Sequence, residues 1–211
     1  MDGQRDTARD YYSEKLQRHG TSARGVDWPS VASQYLRFVQ LLRICDFGQP
    51  FSLNDFGCGY GALLEYFKYR HPDASVDYHG VDVSRSMIEA AQRLWQDATR
   101  ANFSIGSACR HVADYSLASG VFNVKLHWPT DAWEDYIESI LRDLRANSRR
   151  GFSVNFMLPL DQPSDEQSLY RTRPDRWIDF LKELDCSPEP LSDYGLREFT
   201  LLVRIPLNRD G

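Results

Sequence analysis

The sequence predicts an α/β fold with a mostly parallel sheet, helices on both faces and a helical cap at the N-terminus. Short apolar segments with the residue pattern of strands recur along the chain from residue 51 onward. Amphipathic segments with helical periodicity separate them. Strands that alternate with helices pair in parallel through right-handed crossovers, and the crossover helices then cover both faces of the sheet.

The composition is that of an ordinary globular domain. The 211 residues include 42% hydrophobic and 13% aromatic residues, enough for one core. A formal net charge of −5, with no concentration of Lys and Arg, disfavours nucleic acid and anionic membranes as partners. We recognise no signal peptide and no apolar run long enough to span a bilayer. Four widely spaced cysteines without a C-x-x-C pair indicate reduced thiols, and we expect a cytoplasmic protein.

Residues 1–48 are predicted to form a helical cap or lid, and residues 49–211 a ligand-binding sheet domain, in one compact unit. The first cap helix ends at His19-Gly20 and has one short apolar stripe, formed by Ala8, Tyr12 and Leu16. The second has Pro29 at its first helical position, and its stripe contains Val31, Tyr35, Phe38, Val39 and Leu42.

Six segments of the second region are predicted as strands: 51–56, 76–83, 102–105, 112–117, 152–158 and 199–205. The segment 121–126 also alternates and could replace 112–117 as the fourth strand. We favour the earlier segment, because Ser119-Gly120 then lies at the carboxyl edge of the sheet, where ligands bind in open α/β folds.

Four helices are predicted between these strands. The first covers residues 60–69 and is ended by His71-Pro72; the second is capped by Ser84 or Ser86. The third is strongly amphipathic from Trp133 to Leu144. The fourth follows Pro174 and covers residues 175–184.

The stretch from Asp55 to Gly61, Asp-Phe-Gly-Cys-Gly-Tyr-Gly, is the most informative part of the chain. A strand that ends in three glycines and turns directly into a helix lets backbone N–H groups approach a ligand closely. Gly57, Gly59 and Ala62 also satisfy the G-x-G-x-x-G/A pattern of nicotinamide dinucleotide folds. Asp55 argues against that alternative, since a carboxylate beside a pyrophosphate would repel its charges.

The acidic-x-Gly-x-Gly-x-Gly pattern resembles the first motif of class I S-adenosylmethionine (SAM)-dependent methyltransferases. The resemblance implies a Rossmann-like fold with a mostly parallel seven-stranded sheet, and SAM as the cofactor. It implies that SAM contacts residues of this turn, namely Asp55, Gly57, Cys58, Gly59 and Gly61. SAM has no phosphate, and its ammonium and sulfonium groups tolerate or favour a nearby anion.

Asp82 lies at the carboxyl end of the second predicted strand, where its carboxylate can accept hydrogen bonds from both ribose hydroxyls. The resemblance implies that role for Asp82, with Val83 or Met87 packing on the adenine. The family often has an acidic residue after the third strand, which this chain lacks there. We expect backbone atoms near Ser107 and Ala108 to contact the adenine instead, with a displaced Asp114 as the alternative.

The segment after the fourth strand separates the possible chemistries. Ser119-Gly120 and the following residues lack the Asn/Asp-Pro-Pro-Tyr/Phe turn of enzymes that methylate nucleobase or glutamine amines. Only Asp114 and Asn123 are available where catechol-type enzymes cluster magnesium ligands. We therefore expect metal-independent methyl transfer to a small molecule, by alignment of the acceptor and exclusion of water.

Residues expected to overhang the cofactor are the candidates for catalysis. His127 follows the fourth strand and is the first choice for a general base, with His19 and Tyr12 of the cap as further candidates. Trp28 is either a core residue or a lid over the sulfonium, and we include it among the cofactor contacts. Asn155, inside an apolar strand, either bonds to neighbouring backbone or reaches the methionine part of SAM.

Two alternatives to methyl transfer stay open at the level of sequence. The fold can support other SAM-using transfers or cyclisation, or the chain can be a non-catalytic SAM-binding partner protein. A nicotinamide oxidoreductase is a more distant alternative. The apolar cap helices are compatible with a monomer or a homodimer.

Overall fold

The computed structural model describes residues 2–161 and 168–206, with side chains described from residue 9 onward. Seven strands are found there: β1 (Phe51–Phe56), β2 (Val76–Asp82), β3 (Ala101–Ile105), β4 (Ala113–Ala118), β5 (Ser148–Met157), β6 (Ser187–Leu191) and β7 (Glu198–Arg204). The α-helices are α1 (Asp2–His19), α2 (Val31–Leu41), α3 (Ala62–Arg70), α4 (Arg85–Leu94), α5 (Thr130–Ala146) and α6 (Pro174–Glu183). Two short 3₁₀ turns, Ala23–Val26 and Leu42–Ile44, complete the cap.

The strands form one sheet in the order β3-β2-β1-β4-β5-β7-β6. Strands β1 to β5 pair in parallel, and β7 runs antiparallel to both of its neighbours. The chain order reverses beside β1, so the carboxyl ends of β1 and β4 flank the point where open α/β sheets bind ligands. The predicted fold class is confirmed.

The fourth strand is the predicted earlier segment, and the alternative strand at residues 121–126 is wrong. That stretch is a turn whose Val124 makes only an isolated bridge to Leu169. The short edge strand β6 was missed, because Pro188 and Pro190 lack the backbone N–H that marks a strand interior. Prolines are tolerated at an edge, where they also discourage pairing with another chain.

Two helix caps differ from expectation in detail. Helix α2 begins one residue after Ser30, whose hydroxyl oxygen accepts from the Ser33 N–H at 3.1 Å, so Pro29 precedes the cap. Of the two serines proposed to cap α4, Ser84 does so by accepting from the Met87 N–H at 3.3 Å.

Buried side chains form two hydrophobic clusters, as expected for a sheet covered on both faces. One cluster lies under α5 and α6, where Phe156 stacks on Trp177 with ring centroids 5.3 Å apart. The other lies under α2 and α3 and includes Leu41, Leu53 and Phe67. Burial of each such side chain contributes about 1.5–3 kcal/mol to folding.

The cap packs on the sheet mainly through α2. The Ser153 hydroxyl of β5 donates to the Leu41 carbonyl of α2 at 2.8 Å. Helix α1 is attached further out, where the hydroxyls of Ser13 and Ser84 lie 3.1 Å apart. Helix α2 therefore packs on one face of the sheet, and α1 lies at the carboxyl edge, beside the residues that follow β2.

Candidate active site

A cavity of about 300 Å³ lies at the carboxyl ends of β1, β2 and β4 and is covered by the cap. Its floor includes the turn after β1 and the ends of β2 and β4. Cap residues close it, namely Tyr12, Val26, Asp27, Trp28, Pro29, Gln34, Arg37 and Phe38. A volume of this size is at the lower end of the range for small-molecule sites.

The turn after β1 needs its glycines for both backbone conformation and space. Gly57 and Gly59 have φ angles of 73° and 55°, which side-chain-bearing residues rarely adopt. A Cβ atom on Gly57 would lie 2.5 Å from Val121, and one on Gly59 would lie 2.9 Å from Val26. The backbone of Gly57 and Gly59, uncovered by side chains of their own, lines the cavity. Gly61, the third predicted glycine contact, is not part of the lining; it caps α3 and packs against Trp95.

Asp55 is buried at the end of β1 and faces the cavity, with 3% of its surface exposed. Burial raises the pKa of its carboxyl group to about 7, and the nearby charge of Asp82 acts in the same direction. A hydrogen bond from the Tyr78 hydroxyl opposes that shift. Near neutral pH this carboxyl group can therefore exchange a proton in response to a nearby positive charge.

Asp82, the last residue of β2, connects this strand to the glycine turn. Its Oδ2 accepts from the Gly59 N–H at 2.9 Å, and its Oδ1 accepts from the Ser84 N–H at 2.8 Å. Burial raises the pKa of Asp82, while these backbone hydrogen bonds oppose that effect. Each carboxylate oxygen can accept a further hydrogen bond, so Asp82 can still bind a pair of ligand hydroxyls.

A buried polar network joins the cap to the other side of the cavity. The Arg37 guanidinium of α2 pairs with the Glu198 carboxylate at the start of β7, and both side chains are buried. The Asn155 amide donates to Glu198 at 2.8 Å, and its Oδ1 accepts from the Gly120 N–H at 2.7 Å. Of the two roles considered for Asn155, the structure therefore shows bonding to backbone.

The turn after β4 is fixed by close contact with Trp28. A Cβ atom on Gly120 would lie 2.3 Å from the Trp28 ring, and Gly120 has a φ of 72°. The Arg37 guanidinium lies 3.9 Å from the centroid of the same ring. The indole thus lies against both a cation and a glycine backbone, and it lines the cavity.

Most of the predicted site residues lie together at this cavity. Its lining includes Tyr12, Trp28, Asp55, Gly57, Cys58, Gly59, Asp82, Val83, Met87, Ser119 and Gly120. Burial together with the charge of Asp27 raises the pKa of Tyr12 well above its ordinary value. Tyr12 therefore keeps its proton at neutral pH and acts as a hydroxyl rather than as a base.

Other predicted residues lie elsewhere. His127 and His19 are exposed and are absent from the cavity lining, so the structure does not support either as the general base. The chain reverses at Leu126, whose φ is 52°, and it is the neighbouring Trp128 that reaches the cavity. Ser107 and Ala108 are also outside the lining, and the neighbouring Gly106 lines the cavity in their place.

Asp114, the alternative adenine contact, lies away from the cavity. Its Oδ2 accepts from the Ser52 N–H and hydroxyl at 2.8 and 2.7 Å.

Two charged residues at the cavity, Arg37 and Glu198, were missed in the sequence analysis. Each belongs to an apolar stretch, where a charged residue indicates a buried ion pair or a functional site. Also missed were Tyr136, Met157 and Leu169, which line the cavity from separate segments.

The described residues add neither a metal site nor a membrane-spanning helix. Among the side chains that the structure describes, no group of three or more His, Cys, Asp or Glu residues is arranged to hold a metal ion. Within residues 2–161 and 168–206, no helix has the length and apolar character needed to cross a membrane.

Comparison with known proteins agrees with this geometry. Residues 54–147 match the family model of a methyltransferase domain. A Mycobacterium tuberculosis protein named as a putative methyltransferase is 42% identical over 165 residues, which cover 77% of this chain and 98% of that relative.

Solved structures of low sequence identity share the fold. Magnesium protoporphyrin IX methyltransferase from Synechocystis PCC 6803, solved with bound S-adenosylhomocysteine (SAH), aligns with a TM-score of 0.65 at 15% identity, over 95% of this chain and 99% of that one. A SAM-dependent methyltransferase from Aquifex aeolicus aligns with a TM-score of 0.59 at 12% identity, over 84% and 94% of the two chains. The extensive match to the mycobacterial relative shows the family, and the chain is a member of the class I SAM-dependent methyltransferases.

Proposed function

We propose that the cavity binds SAM and that the protein transfers its methyl group to a small molecule without a metal ion. The observation that carries the proposal is the position of Asp82 beside the open backbone of Gly57 and Gly59. A carboxylate at the end of β2 that still has acceptor capacity suits the two hydroxyls of a ribose.

The remaining lining supports the same ligand. Val83, Met87 and Gly106 offer an apolar surface and backbone groups next to Asp82, suited to the adenine. Asp55 and the glycine turn lie where the methionine part would be held, and a buried carboxyl group with a pKa of about 7 favours a cationic group. The unpartnered buried hydroxyl oxygen of Ser119 gives a further polar contact in the cavity.

When bound, SAM supplies a methyl group that is already activated by its sulfonium. The chain's own contribution is to hold the acceptor in line and to exclude water. Trp28 and Tyr12 close the cavity from the cap, and the network of Arg37, Glu198 and Asn155 fixes the turn at Gly120. Tyr12 keeps its proton, so its hydroxyl orients polar groups rather than removing protons.

The four cysteines have free thiols, which supports a location in the reducing cytoplasm. The proposed methyl transfer requires no bound metal, and we therefore expect a chelator to leave the affinity for SAH unchanged.

The test is a calorimetric titration of the purified protein with SAM, SAH and NAD. We expect the first two to bind and NAD not to bind. Replacement Asp82→Asn should weaken SAH binding by about 10- to 100-fold, because a carboxylate that accepts from two hydroxyls becomes an amide with one acceptor oxygen.

The matched control is Asp77→Asn, on the same strand. The Asp77 carboxylate is half exposed, lies 3.7 Å from His79 and is not part of the cavity lining. The replacement Asp77→Asn should therefore leave the affinity for SAH unchanged. Equal losses in the two variants, or binding of NAD in place of SAH, would contradict the assignment of the cofactor.

A further inference from the structure

The loop after β4, the first turns of α5, the end of β5 and the segment around Leu169 contribute a second group of residues to the cavity. None of them belongs to the glycine turn or to β2. We call this group the aromatic wall; it comprises Asn123, Val124, Trp128, Tyr136, Met157 and Leu169.

The rings of the aromatic wall are held in fixed mutual contact. Trp133, which also lines the cavity, packs against both, with its ring centroid 5.5 Å from that of Trp128 and 5.2 Å from that of Tyr136. Its indole N–H donates to the Phe122 carbonyl at 3.1 Å. The centroids of Trp128 and Tyr136 lie 5.7 Å apart. Rigid rings in this arrangement present a preformed surface for a flat apolar ligand.

Asn123 is the polar group of the wall that lacks a partner. The residue is 5% exposed, and its side-chain oxygen Oδ1 is buried with no hydrogen bond in the structure. Its backbone is satisfied, since the carbonyl accepts from the Tyr170 N–H at 2.8 Å and the N–H donates to Gly120. Asn123 lines the cavity, and an unpaired acceptor on a lining residue is the expected partner of a ligand O–H or N–H group.

No member of the wall is charged, and the charged groups nearby in the cap are already paired. Asp27 accepts from the Tyr11 hydroxyl and from the Lys15 ammonium, both at 2.6 Å. Arg37 is paired with Glu198. A charged ligand placed against these residues would lose its hydration without gaining an opposite charge.

We propose that the aromatic wall binds the methyl acceptor, and that this acceptor is an uncharged, planar aromatic molecule whose hydroxyl or aromatic amino group donates to Asn123 Oδ1. The inference rests on the proposed function, because it assigns the second ligand of the same cavity. The wall supplies apolar ring faces for a planar ligand, and Asn123 selects for a donor at one edge of it.

The experiment titrates the full chain, saturated with SAH, with five probes by calorimetry. The probes are 1-naphthol, 1-methoxynaphthalene, which lacks the donor, 1-naphthoate, an anion, 1-naphthylmethylamine, a cation at neutral pH, and methyl glucoside, a polyhydroxylated ligand. We expect 1-naphthol to bind about tenfold more tightly than 1-methoxynaphthalene, the difference of one buried hydrogen bond. The two ions should bind at least about tenfold more weakly than 1-naphthol because their charges lose hydration, and so should the glucoside because it has no aromatic face.

The variant Asn123→Leu conserves size and removes the acceptor. It should lose about tenfold in affinity for 1-naphthol and less than about twofold for 1-methoxynaphthalene. If that variant does not fold, the comparison of the five probes on the unaltered chain still decides the question. Tighter binding of the anion, the cation or the glucoside, or a preference for 1-naphthol that survives Asn123→Leu, overturns the inference.

The two proposals fail in different ways. Absence of SAH binding to the unaltered chain refutes the proposed cofactor site, and the acceptor assignment with it. Normal SAH binding without a preference for 1-naphthol refutes only the role of the aromatic wall.

Discussion

The buried carboxyl group of Asp55 makes a quantitative prediction about stability. Its pKa is about 7 in the folded protein, against an ordinary value of 3.8. The folded state therefore holds a proton between about pH 4 and pH 7 that the unfolded chain releases. Stability from this group falls as the pH rises through that window, by up to about 1.4 kcal/mol per pH unit and about 4 kcal/mol in all.

The replacement Asp55→Asn removes this dependence. The amide is neutral in both states, and its oxygen can still accept from the Tyr78 hydroxyl. We expect the variant and the original protein to be similarly stable near pH 4. By pH 8 the variant should be more stable, by up to about 4 kcal/mol. The measurement is the free energy of unfolding in urea at intervals from pH 4 to pH 8, taken as the difference between the two proteins.

Asp114→Asn is the control. Burial acts to raise the pKa of Asp114, but hydrogen bonds from Ser52 and the charge of Arg149 lower it overall. Its contribution to stability is complete above its ordinary pKa and is lost only as the pH falls. The difference for this variant should be flat from pH 5 to pH 8. A flat difference for Asp55→Asn as well, or a variant less stable at pH 8, would refute the reasoning.

Two further variants test the cap and its network. Gly120→Ala places a methyl group 2.3 Å from Trp28 at a φ of 72°, and we expect about 2–3 kcal/mol of lost stability in urea unfolding; Gly195→Ala, with a φ of 84° and open space, should lose only about 1 kcal/mol. Arg37→Met leaves the Glu198 carboxylate buried without its cationic partner and should lower the free energy of unfolding by about 3–5 kcal/mol in the same assay. The double variant with Glu198→Met should regain much of that stability. Breaking the exposed pair of Arg204 and Glu189 should cost less than about 1 kcal/mol, and equal costs for the two pairs would contradict this account.

Features that depend on neighbouring residues were predictable from the sequence. The glycine turn joins a strand to a helix within a few residues, and Asp82 ends the next strand, so their positions follow from the order of elements. The choice of residues 112–117 as the fourth strand used the same argument, because it puts Ser119-Gly120 at the carboxyl edge of the sheet.

Features that depend on distant residues were not predictable in this way. Arg37 and Glu198 are 161 positions apart, and nothing in the local pattern of either indicates the other. The outward position of His127 depends on the left-handed backbone of Leu126, a residue type that rarely adopts it. Strand β6 has a sequence that disfavours strands and is held there by its pairing with β7.

The unequal attachment of the two cap helices has a consequence for the kinetics of ligand exchange. Helix α2 is anchored by the buried pair of Arg37 and Glu198. The described side chains of α1, from residue 9 onward, attach it through hydroxyl contacts of Ser13 and through the partly exposed contacts of Tyr11 and Lys15 with Asp27. Elements with few buried contacts open first. We therefore expect ligands to enter and leave by movement of α1. Because salt screens the partly exposed pair of Lys15 and Asp27 more than the buried pair of Arg37 and Glu198, the dissociation rate of SAH should rise with ionic strength.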